Sequence, residues 1–105
     1  MKWQPATKAE VQAEIEKGWD EIDPKVCSDF EQYLVDPQPC LIDRFEKRET
    51  AYIVARGKHY VVFFDDIEET FGTAQEIDGL LVRPADFEVL GAALRELIHI
   101  ENSHG

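Results

Sequence analysis

The chain has 105 residues, of which 44% are hydrophobic and 31% are charged, a composition typical of a folded domain. This length leaves no room for separate cofactor and substrate domains, so residues 1 to 105 are predicted to form a single domain. The formal net charge of -11 creates a field that repels polyanions, which excludes a general nucleic-acid binder and a protein that binds anionic membranes.

The termini and the cysteine count predict a cytoplasmic protein. The N-terminus lacks the apolar run of a secretory signal, and the longest apolar runs, Tyr52 to Ala55 and Tyr60 to Phe64, are far shorter than the ~20 residues of a membrane helix. Cys27 and Cys40 are too few for a disulfide scaffold, and in a reducing compartment we expect free thiols.

Two helices are predicted at the start of the chain. Thr7 and Glu10 form a capping-box pattern that begins a helix at Lys8, and apolar residues follow at four-residue steps. Asp23 and Pro24 supply an N-cap and a first-turn proline for a second helix.

The second helix is expected to run to about Val35 and to end at Asp36-Pro37-Gln38-Pro39, because proline cannot continue a helix. Beyond Pro39 the sequence loses helical spacing and becomes rich in Ile, Val, Tyr and Phe. Three strands are predicted there, over Cys40 to Glu46, Thr50 to Arg56 and His59 to Phe64.

The last two of these strands are predicted to form a hairpin in which Gly57 supplies a positive φ. A fourth, shorter strand is predicted from about Glu69 to Ala74, and Asp78-Gly79 predicts another turn. Arg83-Pro84 is predicted to open a C-terminal helix, and residues 102 to 105 to form a frayed tail.

This order predicts an α+β fold with two N-terminal helices, an antiparallel meander of three or four strands and a C-terminal helix packed on the sheet. One strand conflicts with such an open sheet, because Tyr60, Val62 and Phe64 alternate with Val61 and Phe63, which makes both of its faces apolar. If helices cover only one face, the other needs a second chain, a ligand or the N-terminal helices wrapping round it.

The charge is segmented along the chain. Residues 10 to 36 contain nine acids and two lysines, whereas residues 43 to 58 contain three acids and five basic residues. Residues 59 to 82 contain six acids and no lysine or arginine. We predict that the densest acidic run forms a face that attracts a basic partner, and the alternative is a solvated face. The predicted partner-binding residues are Asp65, Asp66, Glu68 and Glu69.

No segment carries a catalytic, cofactor or metal motif. The acidic run lacks the register of a calcium loop, the glycines are scattered singly, and the three histidines stand outside any nucleophile or metal context. We therefore predict no catalytic residue, no metal ligand and no cofactor, and the sequence favours a protein that is not an enzyme.

Four motifs together resemble a group of short bacterial proteins of unassigned function, over about Trp3 to Gly79. These motifs are Trp3-x-Pro5, Phe30-x-x-Tyr33-x-Val35-x-Pro37, Ile53-Val54-Ala55-Arg56 and Asp65-Asp66-Ile67-Glu68-Glu69-x-Phe71. The group has no established activity to transfer. Small size, acidity and a helix-flanked sheet are also similar in style to bacterial immunity proteins, an analogy that no residue motif carries.

The leading hypothesis is a small acidic cytoplasmic interaction protein that binds a basic partner, with an immunity-type inhibitor as its most concrete form. The first alternative is a small-molecule binder or minor enzyme with a pocket between sheet and helices near His59 or Cys40. The second alternative is a domain that self-associates, for example as a homodimer, through the second apolar face of the sheet.

Overall fold

The computed structural model describes residues 7 to 44, 47 to 65 and 68 to 104, and within them the chain forms three helices and five strands. The elements in chain order are α1 (Lys8–Asp20), α2 (Pro24–Glu31), β1 (Leu34–Arg44), β2 (Lys47–Arg56), β3 (Tyr60–Asp65), β4 (Thr70–Ile77), β5 (Leu80–Asp86) and α3 (Leu90–His104). Phe45 and Glu46, the predicted end of the first strand, lie outside the described residues, as do Trp3, Pro5 and Gly105.

The first two helices begin at the residues that their capping patterns predict. The Thr7 hydroxyl accepts a hydrogen bond from the Glu10 backbone N–H at 3.2 Å, and the Glu10 carboxylate accepts one from the Thr7 backbone. Asp23 caps α2 by accepting from the Lys25 backbone N–H at 3.0 Å, with Pro24 in the first turn. Each cap satisfies backbone donors that have no partner within the helix.

The strands close into a barrel in the order β1-β2-β3-β4-β5. Each strand is antiparallel to the next, and β1 pairs with β5 in parallel through Leu41 with Leu80 and Ile42 with Leu81. Because five strands alternate in direction, the first and the last point the same way, so the pairing that closes the barrel has to be parallel.

The predicted open meander of three or four strands is therefore wrong, although the fold is α+β. The additional strand is β5, and it contains Arg83-Pro84, at which the sequence predicts the start of a helix. Asp78 and Gly79 take φ values of 52° and 81°, the left-handed pair of a tight hairpin turn, and they bring β5 back along β4.

A bulge lets β5 contain the Arg-Pro pair. Thr73 pairs with Ala85 and Gln75 pairs with Val82, so β5 has one residue more than β4 between these two pairs. Arg83 lies in this interval with a φ of 54°. A bulge tolerates a proline because its backbone does not have to supply a ladder hydrogen bond. α3 begins only at Leu90 and continues through Asn102 and Ser103, which the sequence analysis placed in a frayed tail.

The proline pair near the start of β1 does not end a helix, contrary to the prediction. α2 ends at Glu31 rather than near Val35, and β1 runs directly through Pro37 and Pro39. The register between β1 and β2 shifts between Leu34 and Gln38, so these prolines stand in or beside an irregular part of the ladder.

The β2–β3 hairpin is present, but its glycine has a different role. Gly57 is not among the residues with a positive φ, and its N–H donates to the Tyr60 carbonyl at 2.8 Å. The Glu101 carboxylate of α3 occupies the space that a Gly57 side chain would need. That carboxylate accepts from the Lys58 N–H at 3.0 Å, so the glycine permits a contact between the turn and α3.

Closure of the barrel explains how β3 can have two apolar faces without exposing either of them. Val61 and Phe63 point into the barrel, where they form an inner cluster that fills its interior. Val62 and Phe64 point outward and belong to an outer cluster with α1, α2 and α3. Both faces are therefore buried within one chain, and the second face gives no reason to invoke a partner, a ligand or self-association. The other buried members of the inner cluster are Ile42, Ala51, Ile53, Ala74 and Leu81.

Candidate interaction surfaces

The predicted acidic run does not lie on one surface. Asp65 is only 2% exposed at the end of β3, and its Oδ1 accepts a hydrogen bond from the Glu68 backbone N–H at 3.3 Å. Glu68 and Glu69 are exposed in the turn before β4, and Asp66 lies outside the described residues. Asp65 thus organises the turn from within, while the two glutamates face solvent.

Glu69 lines a surface cleft together with acids that are distant in sequence. Glu14 of α1, its C-cap Glu21, and Glu88, before α3, form the rest of its carboxylate lining, and Lys17 is the one basic residue among the described residues that line it. We call this feature the acidic cleft, and its volume is about 180 Å³. Its floor contains Gly18, Phe71, Val89 and Leu90.

Backbone geometry brings these acids together. The Phe71 N–H donates to the Glu88 carbonyl at 3.4 Å, which holds the segment before α3 beside the start of β4. Gly18 lets α1 approach α3 closely, because a Cβ at this position would lie 2.9 Å from the Leu90 Cβ. Glu69 and Glu88 have φ values of 57° and 65°, so both stand in sharp backbone turns at the cleft.

A second surface is the α1–α2 groove, with a volume of about 350 Å³. Its apolar floor consists of Ile15, Trp19, Cys27 and Leu34. Its polar rim consists of Gln12, Glu16, Asp20 and Glu31, all of which are exposed. The described residues that line it include three acids and no lysine or arginine.

A third cavity, of about 420 Å³, lies where β1, β4 and β5 meet. Leu41 and Ile77 are 44% and 48% exposed there, and Leu80 and Val82 complete the apolar lining. Leu41, Leu80 and Val82 face outward because their chain neighbours Ile42 and Leu81 fill the barrel. The described residues that line this cavity belong to strands and the β4–β5 turn, and none belongs to α1, α2 or α3.

Polar side chains meet at the barrel end that holds the start of β1 and the end of β2. Arg56 forms an ion pair with Glu76 of β4, and its other terminal nitrogen donates to the Gln38 side chain at 3.0 Å. Cys40 is a partly buried free thiol that packs against the inner cluster. Burial, reinforced by the charge of Glu76, raises the pKa of Cys40 to about 11, so the thiol stays neutral at physiological pH.

The small-molecule hypothesis requires a pocket between the sheet and the helices near His59 or Cys40. His59 is exposed, and neither residue lines any of the three cavities described above. Within the described part of the chain, no three or more His, Cys, Asp and Glu side chains are grouped to hold a metal ion. None of the helices in that part has the length and hydropathy to cross a bilayer.

Sequence reasoning identified Glu69 but not Glu14, Glu21 or Glu88 as its neighbours. The apolar spacing of the first helix predicts that Glu14 and Glu21 face water, and Arg83-Pro84 predicts that Glu88 is exposed on the C-terminal helix, so neither pattern relates them to Glu69. Gly18 was a signal that could have linked α1 to the rest of the cleft, since a glycine inside a helix often marks a close approach of two backbones.

The chain matches no protein-family model, no curated protein and no solved structure. The resemblance to a group of short bacterial proteins thus stays a prediction. Function has to be inferred from the surfaces of the molecule itself.

Proposed function

We propose that this protein is an acidic interaction protein, not an enzyme, that binds a basic partner protein through the acidic cleft. An immunity-type inhibitor of a basic toxin nuclease is the most concrete form of this function. The observation that carries the proposal is that four glutamates, from α1 and its C-cap, the β3–β4 turn and the segment before α3, line one cleft in which Lys17 is the one basic residue among the described lining residues.

The density of negative charge in the acidic cleft is the physical reason to expect a basic partner there. Like charges brought together by the fold repel one another, and a basic partner that enters the cleft removes this repulsion on binding. A surface of one sign also speeds the diffusional encounter with a partner of the other sign. Glu21, Glu69 and Glu88 are exposed, so their carboxylates are accessible to such a partner.

The test begins with proteins that co-purify with the chain at low salt and leave at high salt. The recovered basic protein is then purified, and its association with the chain is timed by stopped flow at several salt concentrations. We expect the association rate constant to fall steeply with added salt, because exposed charges are screened beyond a Debye length of ~10 Å at 0.1 M. A rate constant that does not respond to salt would contradict the proposal.

Matched variants locate the interaction. The cleft variant carries Glu14→Gln, Glu21→Gln, Glu69→Gln and Glu88→Gln, and we expect it to associate about tenfold more slowly. The control variant loses the same number of charges elsewhere, through Asp29→Asn, Asp43→Asn, Asp78→Asn and Glu96→Gln. Equal slowing of both variants would show that net charge, rather than the cleft, attracts the partner.

A further inference from the structure

We propose that the α1–α2 groove binds an amphipathic helix of the partner protein, with apolar side chains on its floor and Lys or Arg side chains at its rim. This inference rests on the proposed function in one respect, namely that the partner is basic. It adds a second contact surface and the form of the segment that binds there.

The floor is suited to apolar side chains from a partner. Trp19, Cys27 and Leu34 are each only partly buried, yet they pack against the outer cluster, so the floor is a continuation of the core and is held in place by it. Covering such surface with apolar side chains removes it from water, which is favourable in proportion to its area. The volume of about 350 Å³ is near the lower end for binding pockets, which fits inserted side chains rather than a whole helix.

The acidic rim favours an occupant that carries basic side chains at a matching spacing. Glu16 and Asp20 stand four residues apart on α1, which separates them by about 6 Å along the helix axis at 1.5 Å per residue. Basic residues at i and i+4 of a bound helix recur at the same spacing, so a helix lying along α1 can pair with both acids. Glu31 supplies a third carboxylate from α2.

Charge also argues against the other occupants of this groove. A second copy of the chain would bring acidic helices together, which like-charge repulsion opposes. A small apolar ligand would cover the floor but would leave the three rim carboxylates without a cation. A basic amphipathic helix satisfies floor and rim together, in the manner of helix-in-groove recognition.

The probe is a synthetic peptide of about 18 residues, with Leu at helical i, i+3, i+4 and i+7 positions and Lys elsewhere. Two comparison peptides have the same Leu positions with Glu in place of Lys, and the same composition in an order that forms no apolar face. Binding is followed by tryptophan fluorescence in a Trp3→Phe background, where Trp19 is the remaining tryptophan. Titration calorimetry gives Kd and stoichiometry.

We expect the Leu/Lys peptide to bind with one-to-one stoichiometry and to shift Trp19 emission to shorter wavelength as the indole is desolvated. The rim variant, Glu16→Gln with Asp20→Asn and Glu31→Gln, should raise Kd about tenfold, since each exposed ion pair contributes modestly. A matched variant with Asp43→Asn, Asp78→Asn and Glu96→Gln loses the same charge outside both the groove and the acidic cleft and should change Kd less than about threefold.

Several results would overturn the inference. Equal weakening by the two variants, or equal binding of the reordered Leu/Lys peptide, would mean general attraction to an acidic protein. Binding of the Leu/Glu peptide would mean a purely apolar site, and a dimer that buries Trp19 without peptide would mean a second copy. The proposed function is judged separately, because the partner recovered from cells should still associate more slowly with the cleft variant when the groove proves inactive.

Discussion

At the scale of single residues, burial separates acids that the sequence places side by side. Asp65 lies inside the barrel end and accepts a hydrogen bond from the turn, whereas Glu68 and Glu69 face solvent. Alternation along β3 accounts for the burial of Asp65, which follows Phe63 by two positions, whereas Glu68 and Glu69 lie beyond the strand in the turn. A run of carboxylates in sequence therefore mixes structural and accessible groups.

Burial also changes the reactivity of Cys40, whose thiol could otherwise act as a nucleophile. Its pKa of about 11, raised mainly by burial, lowers the thiolate fraction at pH 8 roughly a hundredfold relative to a thiol with a pKa of 9.0. In a Cys27→Ser variant, Cys40 is the remaining thiol, and we expect its alkylation in the native protein to be at least ~10-fold slower than in guanidinium chloride. The measurement is the iodoacetamide reaction followed by mass spectrometry.

The same shift makes stability depend on alkaline pH. The unfolded chain loses the Cys40 proton above about pH 9, whereas the folded chain keeps it until about pH 11. The free energy of unfolding should therefore fall as pH rises from 9 to 11, and Cys40→Ala should reduce this slope. In the alkylation experiment on the Cys27→Ser variant, equal rates in the native and unfolded states would contradict the raised pKa of Cys40.

At the scale of elements, bulges and turns decide which segments pair. β1 contains two prolines and β5 contains Arg83-Pro84, and both strands have register irregularities against a neighbour. Prolines are ordinary signals against a strand, so a bulge that tolerates them cannot be read from periodicity alone. The Asp78-Gly79 pair predicts the turn correctly, but the Arg83-Pro84 pair that follows it predicts the start of a helix where the structure has β5.

A substitution at Gly72 tests directly whether β4 and β5 pack as closely as the closed barrel requires. A Cβ at this position would lie 2.7 Å from Cζ of Phe63 and would also overlap the Ala85 carbonyl oxygen of β5. Neither neighbour can easily move, because Phe63 fills the barrel and Ala85 is held in the β4–β5 ladder. We expect Gly72→Ala to lower the free energy of unfolding by about 3 kcal/mol, measured by urea denaturation.

Gly79→Ala is the comparison for this prediction. Gly79 has open space around it, so its substitution should lower stability by only about 1 kcal/mol through the strain of a φ of 81°. If Gly72→Ala proves as mild as Gly79→Ala, then β4 and β5 do not pack as closely at Phe63 as the barrel requires.

At the scale of the whole molecule, the fold turns sequence-distant acids into local concentrations of charge. The acidic cleft holds four glutamates and one lysine. Because these charges repel, we expect the four-site cleft variant to be more stable than the wild type by about 0.5 to 2 kcal/mol at low salt. Urea unfolding in 20 mM and 500 mM NaCl measures the difference.

Added salt should shrink this gain, because screening weakens the repulsion in the wild type as well. The control variant used for the association test should gain less, since its four substitutions are scattered over the molecule. A cleft variant less stable than the wild type would mean that the glutamates make stabilising contacts and are not a surface held against repulsion.

The sequence by itself determined the caps that start α1 and α2, the doubly apolar character of β3, the α+β content and the segmented charge. These properties depend on residues that lie near one another in the chain, where capping, periodicity and composition act directly. Only the tertiary structure decided that the second face of β3 fills a barrel, because closure depends on β5 pairing with β1. It likewise decided that Glu69 meets Glu14, Glu21 and Glu88, since that neighbourhood arises from the packing of α1 against the start of α3.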